Sequence, residues 1–158
     1  MRTILVLLLF LSAVPALARD RLGAWQSWAA FRDLETARCY AIGGSEETSD
    51  SGGFVSVGFW PKRGLSHQVY VRLSRNRSTN SGITLSAGGR RFQLAARGNS
   101  GWAKDRQMDL AIIAAIRSSQ SLSVQSIGRD GRNIIDAYRT RGAASAIDAA
   151  ALGCLARR

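Results

Sequence analysis

One histidine, two cysteines and two prolines are all that this chain of 158 residues holds of those types, and 11 acidic residues face 22 basic ones. So short a chain holds one domain with at most a short appendage, which excludes a multidomain enzyme. With His67 as the only histidine, a zinc site of the usual kind would need both cysteines and a fourth ligand from elsewhere, at a spacing that follows no zinc motif. The same scarcity leaves a Ser-His-Asp triad with a single candidate base. No G-x-S-x-G elbow accompanies His67, which follows Gly64-Leu65-Ser66 at a strand entry, where a surface histidine is expected. Gly88-Gly89-Arg90-Arg91 lacks the Lys-Ser/Thr of a P-loop and opens no helix, so it reads as a turn. The residues assign no catalytic group, metal or cofactor.

Long apolar runs are absent after residue 17. Before it, Arg2 precedes an almost unbroken apolar stretch from Ile4 to Leu17, closed by Ala16-Leu17-Ala18 with small residues at both positions a signal peptidase reads. The stretch is shorter than the ~20 residues a transmembrane helix needs. It predicts a signal peptide over residues 1–18, a single mature domain over 19–158, no transmembrane segment after cleavage, and a periplasmic or secreted location. Two cysteines in an exported chain favour a disulfide, and with two there is one pairing, Cys39 with Cys154. It would tie the two ends of the domain together. Nothing local marks either cysteine as an activated thiol.

What is present is strand patterning. Val55, Val57 and Phe59 alternate with smaller or polar residues, as do Val69, Val71 and Leu73 with Gln68, Tyr70 and Arg72, which predicts two half-buried strands joined through Pro61-Lys62-Arg63-Gly64. Arg38 to Ile42 reads as a strand with Cys39 and Ala41 on one face, after a short aromatic segment from Trp25 to Phe31 and before a polar loop from Gly43 to Gly53. A second hairpin runs through Ile83, Leu85, Gly88-Gly89, Phe92 and Leu94, and a third turns at Asp130-Gly131 between Leu122/Val124 and Ile134 to Tyr138. Asp105 can cap a helix to about Arg117 with Met108, Ile112, Ala115 and Ile116 on its core face. A last helix from Ala143 sets Ile147, Ala151 and Cys154 on one face, so that Cys154 points into the core toward Cys39. The class is mainly β (α+β), an antiparallel sandwich-like domain with one inserted and one C-terminal helix. The lack of repeating strand-helix-strand units argues against a parallel nucleotide-binding sheet.

The charges suggest a partner. Twenty of the basic residues are arginine, whose forked guanidinium suits carboxylate and phosphate. Arg72 and Arg91 fall on outward strand positions, with Arg75, Arg77 and Arg90 nearby in sequence, and together they are candidate anion-binding residues for lipid head groups or polysaccharide; the alternative is a solvated compositional bias spread along the chain. Export and the lack of an aromatic-rich nucleic-acid motif argue against nucleic acid. Among the acids, Asp136 alone stands within a strand, beside Tyr138 on the same face, and a solvent-facing position is expected for it. Trp60, Lys62 and Arg63 form a candidate interaction loop at a hairpin tip.

In sequence order, Trp28 precedes Cys39, Gln68-Val69-Tyr70-Val71 forms a strand, and the Phe92 segment leads to the helix of 105–117 and on to Gln120-Ser121-Leu122-Ser123-Val124. Asp136-Ala137-Tyr138-Arg139 is then followed by Arg141-Gly142-Ala143-Ala144-Ser145-Ala146-Ile147. This order resembles the invasion-associated locus B family, small exported proteins of mainly alphaproteobacteria with a β-sandwich-like fold. The close resembles that family's final strand and its L-x-G-F-x-x-A helix, with Ala143 in place of the phenylalanine; where many members carry a further cysteine pair, this chain has none. The resemblance implies a non-enzymatic envelope or host-directed protein and carries over no catalytic residues. A small periplasmic hydrolase using His67 or Asp136 with a serine, and an inhibitor or adaptor presenting the 61–66 loop, are the alternatives.

Overall fold

The structure is a computed structural model and describes residues 19–46 and 52–155. The predicted signal peptide lies outside the described residues. Among the described residues, ten strands and two α-helices follow in order: β1 (Arg19–Trp25), β2 (Trp28–Asp33), β3 (Arg38–Gly44), β4 (Phe54–Trp60), β5 (Leu65–Arg72), β6 (Ile83–Ala87), β7 (Arg90–Arg97), β8 (Ser100–Trp102), α1 (Arg106–Ser118), β9 (Ser121–Ile127), β10 (Asn133–Arg139) and α2 (Ala143–Leu155). All pairings are antiparallel, in the order β1-β2-β3-β4-β5-β8-β7-β6-β9-β10. The mainly-β class with two helices is as the sequence predicts. Its two facing halves come from one sheet that curls on itself. The Glu46 N–H donates to the Ala137 carbonyl and the Trp28 indole N–H to the Arg139 carbonyl, so the far strand β10 returns to β2 and the end of β3.

The alternating residues meet inside the curl. Val55, Val57, Val69, Val71, Ile83, Leu85, Val124 and Ile134 are fully buried, and the helices close the inner face with Ile112 and Ile116 from α1 and Ala146, Ile147 and Ala150 from α2. α1 packs mainly on β5, and α2 on β1, β2 and β3. The disulfide between Cys39 and Cys154 is present, joining β3 to the last turn of α2 across 115 residues. Gly142 sets where α2 begins: its φ is +91°, and a Cβ there would lie 1.9 Å from the Trp25 carbonyl oxygen, so only glycine lets the helix start this close to β1.

Two elements depart from the sequence expectation. Trp25 to Phe31 is not one segment, because Gln26 takes a left-handed φ of 53° and the chain reverses there into the β1-β2 hairpin. β8 was not foreseen either, since three residues are too few to show a period.

The Asp105 cap is as predicted, its carboxylate accepting from the Met108 N–H at 2.8 Å. Asp105→Ala should lower the unfolding free energy by about 1 kcal/mol, read from the shift of the urea midpoint at unchanged slope. Asp105→Asn, which keeps the acceptor, should restore most of it.

Candidate functional site

The outward residues of β3, β4, β5 and β8 form a grid whose rows are set by strand register. One row runs Ile42, Ser56, Tyr70, Trp102; the next runs Tyr40, Gly58, Gln68; below them Arg38 stands beside Asp33, which pairs with Arg19. Phe54 stands above Ser56 on the same face. Aromatic rings at the margins and a glycine near the middle leave a groove of about 640 Å3, within the ~300–1,000 Å3 typical of ligand sites. Gly58 is the reason for its floor. A Cβ there would come within 2.4 Å of the Trp60 ring, so its absence lets the indole lie flat against β4.

Neighbours hold the rings in place. The Tyr70 and Ser100 hydroxyls share a hydrogen bond of 2.6 Å, Phe54 lies against Tyr70 at 5.7 Å between centroids, and Tyr40 stacks on Phe31 at 5.5 Å. The Arg38 guanidinium sits 4.8 Å above the Tyr40 ring, a cation–π contact. Its Nε is buried and has no hydrogen-bond partner, although it lies 3.5 Å from the Asp33 carboxylate. That single carboxylate also faces Arg19 at 3.7 Å. The Thr36 N–H and hydroxyl, with Arg38 and Arg19, hold the Asp33 carboxyl below its ordinary range against the opposing effect of burial. Two cations thus share one anion at the edge of an aromatic groove, and the site carries a net positive charge there.

The arginines picked from sequence do not gather into one patch. Arg72 lies outward on β5, opposite Phe54 and Ser100, adjoining the groove. Arg91 lies outward on β7 but about 13 Å away along the strand direction, four residues before Ala95, which pairs with Trp102. Arg90 covers the Phe92 ring at 5.0 Å at the other hairpin, and Arg75 is engaged with Asp130 and the Asn133 carbonyl. Arg77 is a correction: it is buried and donates to the carbonyls of Gly98, Ser78, Thr79 and Ser81. Its Nε and Nη1 thereby satisfy carbonyls of the 78–81 loop and of Gly98 that no strand pairs. From the interaction loop, Trp60 turns into the groove while Lys62 and Arg63 stay exposed in a short 3-10 turn.

The two groups considered for hydrolysis are apart. His67, at a left-handed φ of 63°, stands edge-on to Phe59 at 4.8 Å near the start of β5. Burial lowers its pKa, Arg106 and Arg117 push the same way, and Asp148 opposes them. Asp136 lies past the other end of β5, roughly 20 Å along the chain direction, and accepts from both the N–H and the hydroxyl of Ser74. Its expected solvent-facing position is corrected: it is fully buried, because Ile134, Asp136 and Tyr138 all point into the curl. Among the described residues, no three His, Cys, Asp or Glu side chains gather as a metal site.

Sequence reasoning missed Arg19, Arg38, Tyr40, Phe54 and Trp102. The available signal was Tyr70, an aromatic on an outward strand position, but its partners come from other strands and only register shows that they adjoin. No protein-family model, curated protein or solved structure matches the chain.

Proposed function

We propose that the chain is a non-enzymatic protein of the invasion-associated locus B kind, exported to the periplasm or beyond, that holds an anionic envelope or host component in the outer-face groove. The observation that carries this reading is the Arg38–Arg19 pair: two guanidinium groups that share the single Asp33 carboxylate, one of them over an aromatic ring, at the rim of a groove lined by Tyr70, Trp102 and Trp60. Such a pair is completed by a carboxylate, sulfate or phosphate. A disulfide suits an oxidising compartment, and among the described residues no helix is long and apolar enough to cross a membrane.

Titration with dextran sulfate, followed by tryptophan fluorescence, tests the reading, because Trp60 and Trp102 line the groove. Binding should weaken about tenfold in Arg38→Gln and again in Trp102→Ala, and fade as salt is raised. Neutral dextran should bind far less. Arg90→Gln/Arg91→Gln and Lys62→Gln/Arg63→Gln should leave it nearly unchanged; if they weaken it while Arg38→Gln does not, the groove is not the site.

A further inference from the structure

The groove does not end at Trp102. A second basin of about 410 Å3 shares Gln68 and Trp102 with it and extends to Ser66, Lys104 and Arg106 beside the start of α1. Arg106 reaches the Ser66 hydroxyl at 3.3 Å, and Lys104 is exposed. Of the two acids of this basin, Asp109, about one turn inside α1, is buried and accepts from the Val69 N–H at 2.8 Å, while Asp105 is exposed and engaged as the helix cap, accepting from the Met108 N–H. The surface therefore runs from the cations Arg38 and Arg19, between the aromatic walls of the groove and past Trp102, to the cations Lys104 and Arg106.

Resting on the groove reading above, we infer that the ligand is a linear acidic glycan, bound as an extended segment with carboxylates at both cationic ends. Three observations favour a glycan over the acyl part of a lipid. The walls are rings, and the electron-rich face of a tyrosine or indole attracts the C–H face of a pyranose. Between the rings the floor offers Ser56 and Gln68, a hydroxyl and an amide that both donate and accept, as sugar hydroxyls require. The groove lies open along the sheet face, so a chain passes through it without threading. Two separated cationic ends match a polymer whose charges recur along its length, whereas a single head group would meet only one of them.

The test compares oligogalacturonate, oligoalginate and hyaluronan fragments with methyl-esterified oligogalacturonate and with phosphatidylglycerol vesicles, using the oxidised protein. At least one acidic oligosaccharide should bind, its methyl ester about tenfold or more weakly. Arg38→Gln and Lys104→Gln/Arg106→Gln should each weaken it by about tenfold, and affinity should rise with oligosaccharide length until both ends are spanned. Equal binding of the ester overturns the acidic part of the inference. If none of the three acidic glycans binds but the vesicles do, with loss in Trp102→Ala, the glycan inference falls and the groove reading stands. Should the groove variants alter binding to none of these probes or to dextran sulfate, both fall together. Circular dichroism of each variant separates lost binding from lost fold.

Discussion

Replacing Cys39 and Cys154 together by alanine should lower the unfolding free energy by about 2–5 kcal/mol. The chain-entropy argument puts a loop of this length near the upper end, at roughly 4.7 kcal/mol for about 100 residues closed. The structure gives a further reason to expect a large effect. The buried residues of α2 are Ala143, Ala146, Ile147 and Ala150, a stripe with one large side chain, so the apolar contacts holding the helix to β2 and β3 are small for its length. The bridge fastens its far end, where Leu152 and Leu155 are exposed. Urea unfolding of the wild type with and without dithiothreitol, beside the double variant, measures this. Reductant should bring the wild type to the stability of the variant and leave the variant unmoved. A loss below about 1 kcal/mol would mean that the alanine stripe suffices.

The second large effect is expected from Asp136→Ala, at about 2–5 kcal/mol. The carboxyl is fully buried and accepts from the Ser74 N–H at 2.9 Å and from the Ser74 hydroxyl. Truncation abandons these two donors, and a buried donor left without a partner costs ~1–3 kcal/mol. It also leaves a hole beside Gly53, where a Cβ would lie 2.8 Å from Asp136 Oδ2 and 2.9 Å from the Tyr138 hydroxyl. The contact joins the chain just past β5 to β10, so it helps hold the curl closed. Burial first, and then the neighbouring Asp136 carboxyl, push the Tyr138 pKa up, so its phenol stays neutral, and its oxygen has no hydrogen-bond partner. A double-mutant cycle with Ser74→Ala should show coupling of about 1–3 kcal/mol. Additive losses would show that the Ser74 hydroxyl contributes nothing, leaving the Ser74 N–H bond and space filling as what Asp136 supplies.

Much of this architecture was legible locally. Strict alternation at 55–59 and 69–73 placed β4 and β5, because a half-buried strand must send every second side chain inward. Gly88 and Gly89 marked their turn because both take positive φ. The Asp105 cap was readable because an orphan N–H at a helix start selects an oxygen acceptor. β1 was illegible for the opposite reason: it is an edge strand with no fully buried residue, and nothing obliges its sequence to alternate.

The arginines show where local reading stops. In the sequence Arg77 and Arg72 look alike, yet one is a buried donor to four carbonyls and the other stands at the rim of a groove. Arg38 was passed over although it lines the groove and lies over the Tyr40 ring. Asp136 followed the same rule: period placed it on one face with Tyr138, and only the curl made that face the interior.

The sequence by itself determined the strands β3 to β7, β9 and β10, the two helices, their turns and the single cysteine pairing, since each follows from periodicity, backbone conformation or counting within a short window. The tertiary structure decided which face of each strand is buried where the pattern is polar, and which distant residues share a surface. Tyr40, Gly58, Gln68 and Trp102 become neighbours through the pairing register of β3, β4, β5 and β8. Register is a property of pairs of strands, and a one-residue slip would turn every one of these side chains to the other face.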